Sequence, residues 1–301
     1  RLVAQANHQS GLSVVYTELM NFDGDEIYFK EEPKLVGRTY GEAVLAYEHS
    51  AVMGLRKAQG EILLNPAMDT VIEAVDHFFA LSSDDDTLRL TDTSDIEIHS
   101  QLIRTDVQPP PAQPVRILIL GWNQNGFTMM RELDHYVTRG SELRVVADIS
   151  EAAAEGIRVQ AAGLQNLQLV VMQGDATDRG LLDALRVDDY DHVIVLAYVE
   201  RGVQQADAMT LVTLLHLRDI FHHDQTPFSI VSEMLDLRNR ELAQVTRVDD
   251  FIVSEQLISL MMAQFAENAD LYAVFEDIYD PEGAEIYLKP VELYVEKGRP
   301  V

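Results

Sequence analysis

Apolar and polar positions follow two different rhythms along the chain. From residue 115 onward, short apolar runs alternate with segments of helical spacing. The runs at 115–120, 142–147, 167–173, 193–197, 228–232 and 251–254 predict buried strands. The stretches 127–137, 149–162, 178–185, 207–220 and 255–269 predict helices between and after them. Such alternation predicts an α/β fold: a doubly wound, parallel, Rossmann-like sheet of about six strands. Before residue 92 the pattern is choppier. Short strands at 26–29, 51–56, 60–64 and 77–81 and a helix near 39–46 predict a small α+β lobe. The proline-rich run 108–114 separates the two parts and favours an extended linker.

The two ends of the chain resemble each other. With a shift of 259 residues, positions 4–30 fall on 263–289 without gaps, and nine of 27 are identical. Gly24, Glu26, Ile27, Tyr28 and Lys30 fall on Gly283, Glu285, Ile286, Tyr287 and Lys289. Internal repetition of this kind predicts tandem copies of one plan. The predicted divisions are 1–92, a small lobe that starts in a linking helix; 93–114, the linker; 115–254, the Rossmann-like lobe; 255–270, a second linking helix; and 271–301, the start of a second small lobe. The two repeat segments are expected to run as helix end, loop and strand. Leu257, Leu260, Met261 and Phe265 share one face of the 255–269 helix, a face expected to meet a partner domain.

Composition narrows the functional classes. The chain has 301 residues, 47% of them hydrophobic, with 50 acidic and 23 basic residues for a net charge of −27. So acidic a surface repels phosphate backbones, which excludes nucleic acid as the expected partner. It suits cations or simple solubility. The absence of cysteine excludes disulfides, thiolate zinc sites and cysteine nucleophiles. No apolar run approaches the roughly 18 residues of a membrane span. A fragment of a longer intracellular protein is the expectation.

Two groups of residues carry candidate chemistry. Gly121-Trp122-Asn123-Gln124-Asn125-Gly126 follows the first strand of the parallel sheet. It keeps the first and third glycines of the dinucleotide fingerprint but has Asn123 at the second, where the backbone approaches a pyrophosphate. Asp148 ends the next strand, where an acid would hold ribose hydroxyls, and Asp175 follows the third, near where an adenine edge would lie. Gly121, Asn123, Gly126, Asp148 and Asp175 therefore form a candidate adenine-nucleotide site. The alternative is a turn retained after its ligand was lost. The second group is acidic: Asp84, Asp85 and Asp86 in one run, and Glu276, Asp277, Asp280 and Glu282 in another. Either could supply oxygens to calcium or lie on solvated surface. Enzyme signatures are missing: no Walker loop, no nucleophile elbow, and no Tyr-x-x-x-Lys pair after the fourth strand.

These residues resemble a known family. Ile117-Leu118-Ile119-Leu120-Gly121, Asp148, Gly174-Asp175-Ala176-Thr177 and Val193-Ile194-Val195-Leu196 resemble an RCK (regulator of potassium conductance) domain, also called TrkA-N. Leu35-x-Gly37-x-x-Tyr40-x-Glu42, Asn65-Pro66 and Asp76 look like the small lobe that follows such a domain. Gly121-Trp122, the turn Gly140-Ser141-Glu142-Leu143 and Ile27-Tyr28-Phe29-Lys30 resemble the CASTOR/POLLUX/SYM8 ion channel branch and its bacterial relatives. The resemblance implies a cytosolic gating-ring region of a cation channel, on the cytoplasmic face of a membrane, with no enzymatic activity. It implies assembly through RCK lobes into a homo-oligomer, a tetramer of the full channel, with a further N-terminal RCK lobe and a pore domain. It implies calcium or an adenine nucleotide (NAD or ATP) as regulator. Asn123 and the acidic clusters favour calcium. A free-standing Rossmann oxidoreductase or nucleotide-binding regulator is the other reading.

Overall fold

The computed structural model describes residues 12–22, 24–91, 99–104, 111–221, 229–236, 238–239, 250–252, 254–280 and 283–295. The chain divides into two compact units. One holds the described residues of 1–14 and 110–258, the other those of 15–109 and 259–301. The described residues from 259 onward thus group with the small lobe rather than with the sheet they follow in sequence.

The larger unit is the doubly wound sheet. Its strands are β5 (Arg116–Leu120), β6 (Ser141–Ala147), β7 (Leu167–Gln173), β8 (His192–Val195), β9 (Ser229–Glu233) and β10 (Asp250–Ile252). They lie in the order β10-β9-β8-β5-β6-β7, all parallel. Chain direction across the sheet reverses between β5 and β8, so a crevice opens beyond their carboxyl ends. Ile117, Leu118, Ile119 and Leu120 are all fully buried. That explains the unbroken apolar run of β5, since a central parallel strand is covered on both faces. Leu118 and Leu120 join one core cluster with Leu182, Leu214 and Leu217, while Ile117 and Ile119 join another with Met129, Met130 and Leu133. The connecting helices are α3 (Asn125–Tyr136), α4 (Glu151–Gln160), α5 (Arg179–Leu185) and α6 (Val203–Ile220). Ser150 caps α4 by accepting from Ala153 N at 3.2 Å. Asp134, buried at the end of α3, accepts the amides of Gln165, Asn166 and Leu167 and so anchors the entry to β7.

The smaller unit is an antiparallel sheet of β1 (Glu26–Lys30), β2 (Ala51–Arg56), β3 (Ile62–Leu64) and β4 (His77–Ser82), ordered β1-β4-β2-β3. The helix α2 (Tyr40–Val44) starts with a capping box between Thr39 and Glu42. Asp76 is buried and accepts Lys57 Nζ at 2.5 Å and Glu73 N at 2.8 Å.

Two helices depart from the sequence expectation. Where a loop was expected, α1 (Leu12–Met20) and α8 (Asp270–Tyr279) are helical. They occupy equivalent places in the repeat. Leu12, Tyr16 and Leu19 are buried, as are Leu271, Phe275 and Ile278 at the positions 259 residues on. The turns that follow match as well: Asn21 N donates to Glu18 O, and Asp280 N donates to Asp277 O. Gly24 N donates to Asn21 O and Gly283 N to Asp280 O. A Cβ on either glycine would strike the equivalent acid, Glu18 or Asp277. The segments diverge after the turn. Residues 26–30 form β1 against β4, whereas the described residues 285–289 are not in a strand.

The helix α7 (Ser254–Glu267) precedes α8. Phe265 on it packs at 5.6 Å and 5.8 Å against the rings of Tyr272 and Phe275. Part of the face assigned to a partner domain is thus used within the chain.

Candidate functional site

A cleft of about 460 Å³ opens at the carboxyl ends of β5, β6 and β8. It is lined by Trp122, Asn123, Gln124, Phe127, Asp148, Ile149, Ser150, Ala153, Gly156, Tyr198, Val199, Glu200 and Arg201. Its place is the topological switch point, where ligands of open α/β sheets bind.

Gly121 is required where it stands. Its φ is +86°, and a Cβ there would lie 2.3 Å from Leu196 O. Only glycine lets the turn leave β5 so close to the end of β8. Gly126 begins the helix beyond the turn, and a Cβ on it would lie 2.8 Å from the Trp122 ring. The indole therefore rests on the first turn of α3, edge-on to Phe127 with centroids 5.2 Å apart. That is the surface which the fingerprint leaves bare for a pyrophosphate.

Asn123 has work of its own. Its Nδ2 donates to Ala197 O at 2.8 Å and to Glu233 Oε2 at 2.6 Å, and its Oδ1 accepts from Asn125 N at 2.9 Å. Asn125 Nδ2 donates to Glu233 Oε1 at 3.1 Å. Glu233 ends β9 and is buried, so two neutral amides hold its carboxylate beneath the turn. The residue that replaces the second glycine ties β5, β8 and β9 together.

Asp148 faces the cleft and forms an ion pair with Arg201. Arg201 ends the short turn Val199–Arg201 after β8, and its guanidinium lies 5.0 Å from the Tyr198 ring centroid. Tyr198 Oη accepts Asp148 N at 3.0 Å. Burial pushes the Tyr198 hydroxyl above its ordinary range, so it stays protonated under this pair. The acid placed to hold ribose is engaged by an arginine of the same chain. Asp175 does not line the cleft but lies near enough for its charge to act on Tyr198 and Arg201; its Oδ1 accepts Thr177 N at 2.9 Å and Thr177 Oγ1 at 2.7 Å in an exposed turn.

The structure brings Gly121, Asn123, Gly126 and Asp148 together at one crevice. It adds Tyr198, Arg201 and Glu233, which the sequence did not single out. Glu233 and Arg201 reach the site only through strand order, a long-range property that no local period encodes.

The described acidic residues do not converge. Asp84 caps a turn by accepting Asp85 N at 2.7 Å, and Asp86 lies 3.9 Å from Arg89. Glu276 accepts the Tyr272 hydroxyl at 3.4 Å, Asp277 lies against Gly283, and Asp280 is an exposed residue after α8. Glu282 lies outside the described residues. Among the described residues no three carboxylates or imidazoles gather closely enough to hold a metal ion. No helix among them is long and apolar enough to cross a membrane.

Comparison with known proteins gives consistent relatives for both parts. Residues 1–99 match the family "Castor and Pollux, part of voltage-gated ion channel", and residues 117–254 match the TrkA-N domain. The chain is 28% identical over 332 residues to the probable ion channel POLLUX of Oryza sativa subsp. japonica, covering 98% of this chain and 34% of that protein. It is 28% identical over 331 residues to the ion channel DMI1 of Medicago truncatula, covering 98% of this chain and 37% of that protein. It therefore spans little more than a third of these relatives. In fold it is similar to the human SLO3 gating ring, with a TM-score of 0.63 at 12% identity over 92% of this chain and 60% of that one.

Proposed function

We propose that this chain, which joins a Castor and Pollux channel region to a TrkA-N domain, is the ligand-sensing part of a gating ring that regulates a cation channel. The observation that carries the reading is the joint match: similarity to ion channels extends over 98% of the chain, across both units. The cleft at the switch point is the sensing site. It is a binding site, not a catalytic one. Asp148, the carboxylate at its centre, is held by Arg201, and Glu233 is spent on structure. The region sits on the cytoplasmic face of a membrane and assembles with further copies and with a pore supplied by the rest of the protein.

A ligand regulates such a ring only through different affinity for its two conformations. The cleft suits this task because its walls come from the ends of three strands and the segments that follow them, so one ligand there contacts several elements at once. The test is electrical. Full-length protein in a planar bilayer should change its open probability when AMP, NAD or calcium is added to the side bearing this region. Deletion of the region should abolish that response. A response retained in full after deletion would overturn the reading.

A further inference from the structure

The strand β7 closes one side of the parallel sheet and lacks the usual safeguards of an exposed edge. Edge strands are normally kept short or marked by charge, which stops them pairing with another chain. Among the other described edge strands, β3 and β10 are three residues long, and β1 carries Glu26 and Lys30. By contrast β7 runs for seven residues, Leu167-Gln168-Leu169-Val170-Val171-Met172-Gln173, without a charge, in a chain of net charge −27. Just past it, Gly174 N donates to Ala147 O at 3.0 Å. Backbone direction alternates along a strand, so Gln168, Val170 and Met172 turn their amides and carbonyls to β6, and Leu169, Val171 and Gln173 turn theirs outward. On one face of the strand, Val170 and Met172 are 41% and 38% exposed.

We propose that a second copy of this chain pairs antiparallel with β7 about a two-fold axis at Val170, joining the two parallel sheets into one. The seam rests on the reading that copies assemble, and it is independent of what the cleft binds. Its register follows from the outward backbone groups. Leu169 lies opposite Val171 of the copy as a hydrogen-bonded pair, Val170 lies opposite its own equivalent as the close, non-bonded pair, and Gln168 lies opposite Met172. Charge favours a second copy as the occupant. The helix α4 packs against β7, with Glu151 and Glu155 in its amino half. Arg158 lies in its carboxyl half, where Arg131 Nη2 also donates to Gln160 Oε1 at 2.8 Å. The axis sets the acidic half of one α4 beside the basic half of the other. Arg158, which pairs within one chain with Glu151 at 2.8 Å and Glu155 at 3.1 Å, then faces the equivalents of both. Asp175 and Asp178 follow the carboxyl end of β7, and the axis carries them to the amino end of the other strand, beside Gln165 and Asn166. Gly140 N donates to Asn166 O there at 3.0 Å, next to the exposed Arg139. Those two acids thus avoid their own equivalents and approach a base. On β6, Glu142 and Arg144 already pair with each other at 3.1 Å. Two chains this acidic meet with least repulsion along an uncharged strand flanked by opposite charges.

Sedimentation equilibrium on the full chain tests this. The chain should form a dimer. Val170→Lys and Val170→Glu should each weaken it at least about tenfold, because each sets like charges against one another across the axis. An equimolar mixture of the two variants should restore association, since residue 170 then meets an opposite charge. Mixing cannot repair a folding defect, so the rescue separates a lost contact from a misfolded chain. The chain has no cysteine, so Val170→Cys offers a single thiol. A non-bonded antiparallel pair sets its Cα atoms ~4.5 Å apart, which suits a disulfide. Mild oxidation should therefore yield a covalent dimer of Val170→Cys and none of Val199→Cys, a control at an exposed position in the cleft. A dimer unchanged by either charge variant, variants that do not rescue each other, or no cross-link at residue 170 overturns the seam and leaves assembly to another surface. A chain that stays monomeric at every concentration also overturns the seam, and the electrical response of the full-length protein then decides the gating-ring reading separately.

Discussion

Asn123 reaches Glu233 across the crevice, its Nδ2 donating to the buried carboxylate at 2.6 Å. The residue that spoils the dinucleotide fingerprint is therefore a brace. Asn123→Gly restores the motif but removes three hydrogen bonds, two donated and one accepted. It leaves Glu233 short of a donor. Chemical denaturation should show a loss of about 1–3 kcal/mol. NAD affinity should not rise, because Trp122 still lies on Gly126. A variant as stable as the parent that gains NAD binding would show that the side chain, not the indole, closed the cradle.

Two glycines with similar backbones should respond differently to the same change. Gly121 has φ +86° and Leu196 O lies 2.3 Å from its Cβ position, whereas Gly202 has φ +80° and nothing within 4 Å. Gly202→Ala should cost about 1–3 kcal/mol, from its φ +80°, ψ +150° backbone alone. Gly121→Ala should cost ~3 kcal/mol or more, since backbone strain and a clash with a carbonyl of the central sheet act together. Equal melting temperatures for the two variants would contradict the close approach of the β5 turn to β8.

Stability of the small lobe should depend on pH through Glu26. Burial pushes its carboxyl above the ordinary range, Glu267 and Asp84 push the same way, and the Tyr28 hydroxyl partly opposes them. The folded state thus binds the proton more tightly than the unfolded state. Ionised Glu26 lowers stability at neutral pH, and that penalty fades as pH falls through the raised value. Glu26→Gln should raise the melting temperature at pH 7 and have little effect near pH 4. An equal gain at both would assign the effect to packing.

Much of this architecture is legible in sequence because it is local. The run Ile117–Leu120 of β5 is apolar throughout, as a central buried parallel strand must be, and β7 spans Leu167–Gln173 as its pattern predicts. The turn at Gly121 and the acid at Asp148 stand at strand ends, where spacing exposes them. The helix α1, expected as a loop, carries Leu12, Val15, Tyr16 and Leu19 at helical spacing. What sequence could not show is the Arg201–Asp148 pair and the Glu233 brace. Each joins residues from different strands, 53 and 110 positions apart. Strand order decides which side chains meet, and charge patterning says nothing of it. The acidic runs illustrate the converse: adjacency in sequence suggests a shared ion, while turn geometry sends Asp84 to the backbone of Asp85 and Asp86 towards Arg89.

Calcium is the remaining regulator to weigh, and the geometry makes a definite forecast for the described acidic runs. The ion takes six to eight oxygens at short range, with several carboxylates converging on one point. Asp84 is turned to the backbone of Asp85, and Asp86 lies towards Arg89. On α8, Glu276 meets Tyr272 while Asp277 lies against Gly283. A net charge of −27 still draws divalent cations to the surface, but such screening does not distinguish calcium from magnesium. Millimolar calcium and magnesium should therefore raise the melting temperature by equal, small amounts. The triple variant Asp84→Asn, Asp85→Asn, Asp86→Asn should leave the two responses equal, each slightly reduced. Selective stabilisation by calcium that the triple variant abolishes would show that these carboxylates rearrange to enclose the ion. Selective stabilisation that survives it would assign the ligands to other residues, because a ligand that prefers the folded state raises its stability wherever it binds.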